Sequence, residues 1–373
     1  MLHKNKPIIF YCSIQAVGTP PYYFYKLAQS LSSVAKVIFI ELPTQNYLTK
    51  KKFFPSFLIQ ILNFLFNSNF LIWKFFSKIQ LELYLLKIFI FINKSFGKKI
   101  IIITSSGFDD HIYSLIKKDY FIFDCIDRFE NEFENYQQIK KFDLILANTQ
   151  LIHNNLKKIN PHIKKISCGY CNSQINSFTK KPRRLIKNSV VFYGGISRRL
   201  TYDPLIKAVK QLKDIDFYFI GGMYLNKHYS SEEDNLYLKK WKQLLNLDNT
   251  NYLGYMDINS AEKILPFFCL GIIPYIFNDC FNYHAHPMKI YNYLKAGLPI
   301  ISTNIPAVNQ YTQKYDIYIY QTENEFINLI KTIVTKRNNK QLIIDENKIS
   351  KLIKRESTQT KTNQIINLIS KNT

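Results

Sequence analysis

Short, almost wholly apolar runs, each followed by a helix-length stretch, recur in two sets along this chain with a charged break between them. This alternation constrains the fold more than any other feature. The runs at 7–14, 35–42, 100–104, 120–126, 143–148 and 164–168 are mostly continuous in hydrophobicity, as parallel strands covered by helices on both faces must be. Amphipathic stretches at 21–32, 109–118 and 150–159 supply intervening helices. A polar, proline-containing break around Thr179-Lys-Lys-Pro-Arg-Arg follows. Strand patterns then resume at 189–193, 216–221, 251–254, 270–275, 298–303 and 316–320. Each half predicts a doubly wound, Rossmann-like α/β domain, and 373 residues suffice for two. The expected divisions are a first domain at 1–178 with a basic aromatic insertion at 47–99, a linker at 179–188, a second domain at 189–345 and a helical tail at 346–373. Two such domains would face each other across a cleft at the carboxyl ends of their strands.

Charge bears on partners. Fifty basic against 27 acidic residues leave a net +23, a balance that attracts phosphates, nucleic acid or anionic lipid. Only seven of the basic residues are arginine, and lysine enrichment beside Ile, Asn, Phe and Tyr also follows from an A/T-rich codon bias. With no nucleic-acid recognition motif in the chain, nucleic acid is not an expected partner. The densest positive segment is 50–99, with nine lysines and the single acid Glu82. Within it, 53–73 carries no charge, and Ser56, Gln60, Asn63 and Asn67 recur at helical spacing. That pattern suits a helix lying in a membrane interface, or a helical pair packed on the first domain's core. Lys4 and Lys6 precede an apolar run too short for a signal peptide, so a cytoplasmic start is expected. The six cysteines form no even framework, and Cys168-Gly-Tyr-Cys171 lacks a second pair for zinc.

The stretch richest in chemistry is His284-Ala-His-Pro-Met-Lys-Ile-Tyr-Asn-Tyr-Leu-Lys-Ala-Gly297 and the buried run after it. Pro287 suits the first turn of a helix and Gly297 the position beyond its end. The helix would begin just past the 270–275 strand, its free N–H groups toward the ligand crevice, where a phosphate can bind. Lys289 would add a charge to that phosphate, and Asn292, three residues on and on the same face, a ribose or base contact. Gly194-Gly195, with Ser197 and Arg199, would let backbone approach a diphosphate, Arg199 offering a forked donor set. A solvated arginine on a glycine-rich turn is the alternative.

In these segments the chain resembles the GT-B glycosyltransferases, specifically the family 4 group and its branch in surface polysaccharide synthesis. That branch carries Asn-Pro-Leu-Lys-Leu-Tyr-Glu-Tyr-Leu-Ala-Ala-Gly-Lys-Pro-Val-Val, and 286–301 is the matching stretch here. Tyr252-Leu-Gly-Tyr, Leu270-Gly-Ile-Ile-Pro-Tyr, Phe192-Tyr-Gly-Gly-Ile-Ser-Arg-Arg-Leu, Phe123-Asp-Cys-Ile-Asp-Arg-Phe129 and Leu146-Ala-Asn-Thr-Gln extend the likeness over nearly the whole chain outside 50–99. The resemblance implies two Rossmann-like domains facing across a cleft, with a last helix, marked by Ile365, Ile366, Leu368 and Ile369, returning to the first domain. It implies transfer of a sugar from a nucleotide-diphosphate sugar to a hydroxyl of a glycan or lipid-linked acceptor, retaining and independent of metal. It also implies donor contacts from Gly194, Gly195, Ser197, Arg199, His286, Pro287, Met288, Lys289 and Asn292. The family's two glutamates, eight positions apart, correspond to His284 and Asn292. Asn292 can still hold the ribose, whereas His284 would alter sugar choice or abolish transfer.

On the acceptor side, Asp124 and Asp127 end the 120–126 strand, where a carboxylate can orient or deprotonate a hydroxyl. Asp124 as a structural cap is the alternative. His111 is either a cleft residue or an exposed helix histidine. Asp214-Ile-Asp216 precedes its strand and so lies on the edge away from the crevice. No cofactor and no metal are expected, the donor sugar being a substrate. Two other readings stand beside the transferase: a nucleotide-sugar epimerase on the same fold, and a non-enzymatic binder of phosphate polymers or nucleic acid. Attachment to the membrane surface from the cytoplasmic side would bring the protein to a lipid-linked acceptor.

Overall fold

A computed structural model of the chain describes residues 7–13, 23–41, 70–74, 89–90, 93–95, 97–105, 118–126, 136–167, 169–170, 185–223, 231–342 and 344–372. The chain separates into two compact units, 1–172 with 356–373, and 173–355.

The first unit holds a seven-stranded sheet: β1 (Ile8–Ser13), β2 (Lys36–Glu41), β3 (Phe70–Lys74), β4 (Ile100–Thr104), β5 (Tyr120–Cys125), β6 (Leu144–Ala147) and β7 (Ile163–Lys165). Their order is β3-β2-β1-β4-β5-β6-β7, every pair parallel. β1, β4 and β5 run through the middle and their described side chains are buried throughout, which is why they read as unbroken apolar runs. β3 is the element the sequence pattern did not separate. It takes up the last four residues of the uncharged 53–73 segment and Lys74 after it, so an interfacial helix cannot span that segment to its end. Phe-Leu-Ile-Trp is β-prone, and pairing with β2 supplies the backbone partners that a helix would otherwise provide. Residues 53–69 lie outside the described set.

The second unit repeats the design with β8 (Ser189–Tyr193), β9 (Asp216–Ile220), β10 (Thr250–Tyr252), β11 (Leu270–Ile273), β12 (Ile300–Thr303) and β13 (Ile317–Tyr320). The order is β10-β9-β8-β11-β12-β13, again all parallel. Its core joins Val190, Phe192, Phe217 and Phe219 to Leu205, Val209, Trp241, Phe326 and Ile330 from the covering helices.

The expected tail splits in two. The helix Glu346–Arg355 belongs to the second unit, and the last helix, Thr358–Asn372, belongs to the first, as the resemblance implied. Its buried face carries Thr358, Lys361, Thr362, Ile365 and Ile369. The entry to the helix is stitched to Tyr170, whose N–H donates to the Glu356 carbonyl at 2.6 Å while the Thr358 N–H donates to the Tyr170 carbonyl at 3.2 Å. Thr362 donates to the Ser30 hydroxyl at 2.8 Å on the helix Tyr23–Leu31.

Candidate functional site

In the second unit the carboxyl ends of β8 and β9 meet at two glycines. Gly194 has φ +143° and Gly221 φ +152°, and a Cβ on Gly221 would lie 1.8 Å from the Gly194 carbonyl oxygen. Only glycine at both positions permits this contact. Bare backbone is therefore exposed where the first strand ends, and a lysine covers it. The Lys289 Nζ would be 2.8 Å from a Cβ at Gly194.

Lys289 is 7% exposed. Its ammonium sits 4.1 Å from the Phe192 ring centroid and 4.4 Å from that of Tyr275, and Nζ has no hydrogen-bond partner of normal geometry among the described residues. Burial pushes its pKa below the ordinary lysine value; Tyr275 opposes the shift and the positive charge of Arg199 adds to it. A buried cation without a carboxylate is costly, and the two ring faces compensate for only part of the lost hydration. The arrangement suits an anion.

Arg199, half-buried, adds a second cation. Its guanidinium lies 4.2 Å from the Phe281 centroid, and its carbonyl accepts from Ile276 N–H at 2.9 Å and from Asn282 Nδ2 at 3.2 Å. Ser197 shapes the same turn: its carbonyl accepts from the Tyr202 hydroxyl at 3.0 Å and its Oγ from the Arg199 N–H at 3.4 Å. Gly195 lies between these groups and Gly194.

The helix Lys289–Lys295 carries the lysine. It starts two residues after Pro287 rather than at it. The Pro287 and Met288 carbonyls accept from Ile290 and Tyr291, each at 3.1 Å, in a tight entry turn with half-buried Met288 as the cap. Two amides are used up there, so the positive character of this end comes mainly from the Lys289 ammonium rather than from a helix dipole of only seven residues. The end of the helix matches the sequence reading. Gly297 has φ +70°, its N–H donates to the Leu294 carbonyl and that of Leu298 to the Tyr293 carbonyl, both at 2.9 Å, a Schellman closure. Arg337 donates to the Gly297 carbonyl at 2.7 Å, and the buried pair Lys295–Glu262 at 3.2 Å fixes the last turn.

The remaining donor-side candidates are brought to the same strand edge with different roles. Asn292 is buried on the face of Lys289. The His286 side chain is not offered to a ligand: its ring packs against Tyr291 and Tyr311, with Nε2 3.1 Å from the Tyr311 hydroxyl. Pairing inside an aromatic cluster satisfies an imidazole better than a solvent edge does. His284 is also buried, and its Nδ1 lies 2.8 Å from the Cys280 carbonyl. A carbonyl only accepts, so in this contact Nδ1 is the donor.

In the first unit the structure corrects the reading of Asp124. The carboxylate is 1% exposed and pairs with Lys361 from the last helix at 2.7 Å. Its other oxygen accepts from the hydroxyls of Tyr11 at 2.9 Å and Tyr23 at 3.1 Å, and Lys361 also donates to Tyr23. A carboxylate so enclosed cannot take a proton from an acceptor hydroxyl. Its role is structural, and the sequence reading missed its partner. The signal was present: Lys361 stands four residues before Ile365, on the apolar stripe. Asp127 and His111 lie outside the described residues, as do Cys168 and Cys171. Asp216 opens β9 at the end opposite Gly221. Among the described residues no three His, Cys, Asp or Glu side chains group for a metal ion, and no helix is long and apolar enough to cross a membrane.

Residues 173–351 match the family model for glycosyl transferases group 1. A glycosyltransferase of Bacillus subtilis strain 168 assigned to teichuronic acid biosynthesis, TuaH, is 28% identical over 129 residues, which cover 35% of this chain and only 30% of TuaH. Among solved structures, a glycosyltransferase from Rickettsia africae aligns with TM-score 0.71 at 14% identity, covering 99% of both chains. Anabaena Alr3699/HepE in complex with UDP aligns with TM-score 0.66 at 13% identity, covering 98% of this chain and all of that one. What this chain shares with these two solved structures is the fold.

Proposed function

We propose, from the premise that this chain is a GT-B glycosyltransferase whose residues 173–351 form a glycosyl transferases group 1 domain, that it transfers a sugar from a nucleoside-diphosphate sugar to a hydroxyl of a glycan or lipid-linked acceptor. The observation that carries this reading is the buried ammonium of Lys289 above the Gly194 backbone, with Arg199 beside it. In the reaction a bond forms between the acceptor oxygen and the anomeric carbon, and the bond from that carbon to the diphosphate breaks. The leaving diphosphate keeps the electron pair, and the acceptor's proton passes to a diphosphate oxygen or to solvent. Negative charge thus grows on the diphosphate as the bond breaks. Lys289 and Arg199 then stabilise the transition state more than the bound donor, which is the condition for catalysis rather than mere binding. The ring faces and backbone that exclude water from Lys289 strengthen that effect.

The donor complexes described for the Anabaena protein, with UDP and with UDP-glucose, favour a uridine donor. The similarity to TuaH favours an acceptor in cell-envelope polysaccharide synthesis. Retention at the anomeric carbon and independence from a metal cofactor are carried by the resemblance of the donor segments. A cytoplasmic protein held at the membrane surface by the basic segment 47–99 would meet a lipid-linked acceptor there, each basic residue contributing about 1 kcal/mol near an anionic leaflet. A thermal-shift panel of UDP-, GDP-, dTDP- and CMP-sugars, followed by radiolabel transfer to membranes, tests the reading. Stabilisation by at least one nucleotide-diphosphate sugar, then labelled product, is expected. No stabilisation by any donor and neither transfer nor donor hydrolysis would refute it.

A further inference from the structure

We infer that Tyr293 is a positioning residue of the donor site: a buried pin that sets the height of the Lys289 helix against the Gly194 turn. The inference rests on the donor-site reading above and concerns a residue that touches neither charge nor ligand.

Three independent contacts meet on this side chain. Its hydroxyl accepts from the Tyr193 backbone N–H at 2.7 Å, at the last residue of β8 and next to Gly194. It donates in turn to the Ile272 carbonyl at 3.2 Å in β11. Its ring lies flat over Gly271, where an added Cβ would come within 2.7 to 2.9 Å of three ring carbons. The side chain is completely buried, and that burial pushes the phenol pKa far above its usual value, so the hydroxyl stays a donor at all working pH. One rigid group thereby ties together the end of β8, the middle of β11 and the helix that carries Lys289 and Asn292.

The geometry makes the link to Lys289 direct. Lys289 and Tyr293 are four residues apart on one short helix, hence on the same face. Nζ of the first lies at contact distance from Gly194, while the hydroxyl of the second grips Tyr193. Moving the ring by an ångström lifts the ammonium off the turn by a similar amount, because a two-turn helix pivots as a rigid body. Misplacement on that scale is costly at a charged site, where binding depends on donor geometry. The Tyr293 hydroxyl thus pairs with one backbone donor and one backbone acceptor of two neighbouring strands.

The test compares UDP affinity, by calorimetry on folded protein, for the intact chain, Tyr293→Phe, Gly271→Ala and the control Ile333→Val. Phenylalanine removes the grip and leaves the ring; alanine leaves the hydroxyl and drives the ring off its seat. Ile333 is a core residue of the helix Glu323–Asn338 and shares none of these contacts. Both pin variants should bind UDP about tenfold more weakly, which corresponds to about 1.4 kcal/mol, and the control should bind within twofold even though its melting temperature falls. Binding by Tyr293→Phe and Gly271→Ala within twofold of the intact chain, whatever their melting temperatures, would overturn the inference, because a merely structural tyrosine changes stability alone. A control weakened as much as the pin variants would overturn it too. Failure of the intact chain to bind UDP, GDP or dTDP at all would instead refute the donor-site reading on which it rests.

Discussion

Replacing Lys361 with methionine should destabilise the first unit selectively. Lys361 and Asp124 are each 1% exposed and 2.7 Å apart, so removing the ammonium leaves a carboxylate in the core with, among the described residues, the Tyr11 and Tyr23 hydroxyls as its side-chain partners. Breaking a buried pair from one side costs about 3–5 kcal/mol, a large share of the 5–15 kcal/mol that holds a typical domain. Loss of the Lys361 contact to the Tyr23 ring at 5.0 Å adds to this. Hydrogen exchange read by mass spectrometry separates the units. Peptides from β1, β4 and β5 should exchange on the order of a hundred- to a thousandfold faster, while those from β8, β11 and β12 keep their protection. The double variant Lys361→Met with Asp124→Asn should recover most of the loss. Neither charge then remains, methionine fills the stem's volume, and the asparagine oxygen still accepts from a tyrosine. Less than a tenfold acceleration in the single variant, an equal change in both units, or a double variant as labile as the two singles summed would refute the argument that this pair holds the last helix.

Gly194→Ala should reduce UDP binding at least tenfold, because its Cβ would lie 2.8 Å from Nζ of Lys289 and φ is +143°; calorimetry reads this directly. Gly221→Ala should lower the thermal stability of the second unit by several degrees, since its Cβ meets the Gly194 carbonyl at 1.8 Å. Lys289 should give opposite pH slopes for binding and for stability. Its native pKa is lowered, chiefly by burial, so between that value and the ordinary 10.5 the unfolded chain holds the extra proton and folding stability rises with pH. UDP affinity falls through the same window as the ammonium is lost, and Lys289→Met should flatten both slopes. Lys295→Met should cost roughly 3 kcal/mol by removing the cation of the buried pair with Glu262, measurable as a lower melting temperature without a change in the pH slope of UDP binding.

The two sheets were legible because parallel strands covered on both faces leave their mark in the sequence itself. β4 and β8 begin and end where the apolar runs do, and most other strands differ by one or two residues. β3 escaped because an edge strand inside an uncharged segment looks the same in composition as a membrane-seeking helix. Only its pairing with β2 separates the two. The helix after β11 was legible at its end, where Gly297 needs a positive φ, but not at its start. Proline at the first turn is a preference rather than a rule, and here the chain makes a tight turn through Pro287 and Met288 first. The packing of the His286 ring was not legible for a related reason: its partner Tyr311 lies 25 residues on, with no local signal joining them.

The charged residues show where local pattern ends and tertiary structure begins. Asp124 looked like a base at a strand end because its partner stands 237 residues away. The structure describes three buried lysines, Lys289, Lys295 and Lys361. Lys295 is balanced by Glu262 and Lys361 by Asp124, each through an ion pair within the same unit. Among the described residues, Lys289 lies against the rings of Phe192 and Tyr275 and the Gly194 backbone, and no ion pair to a carboxylate is seen there. Burying a lysine without a carboxylate lowers stability, and the chain supplies a carboxylate in the other two cases. The described residues give Lys289 no carboxylate, which supports its proposed role beside the diphosphate of the donor. On that proposal the lysine most costly to the fold is the one that serves the function.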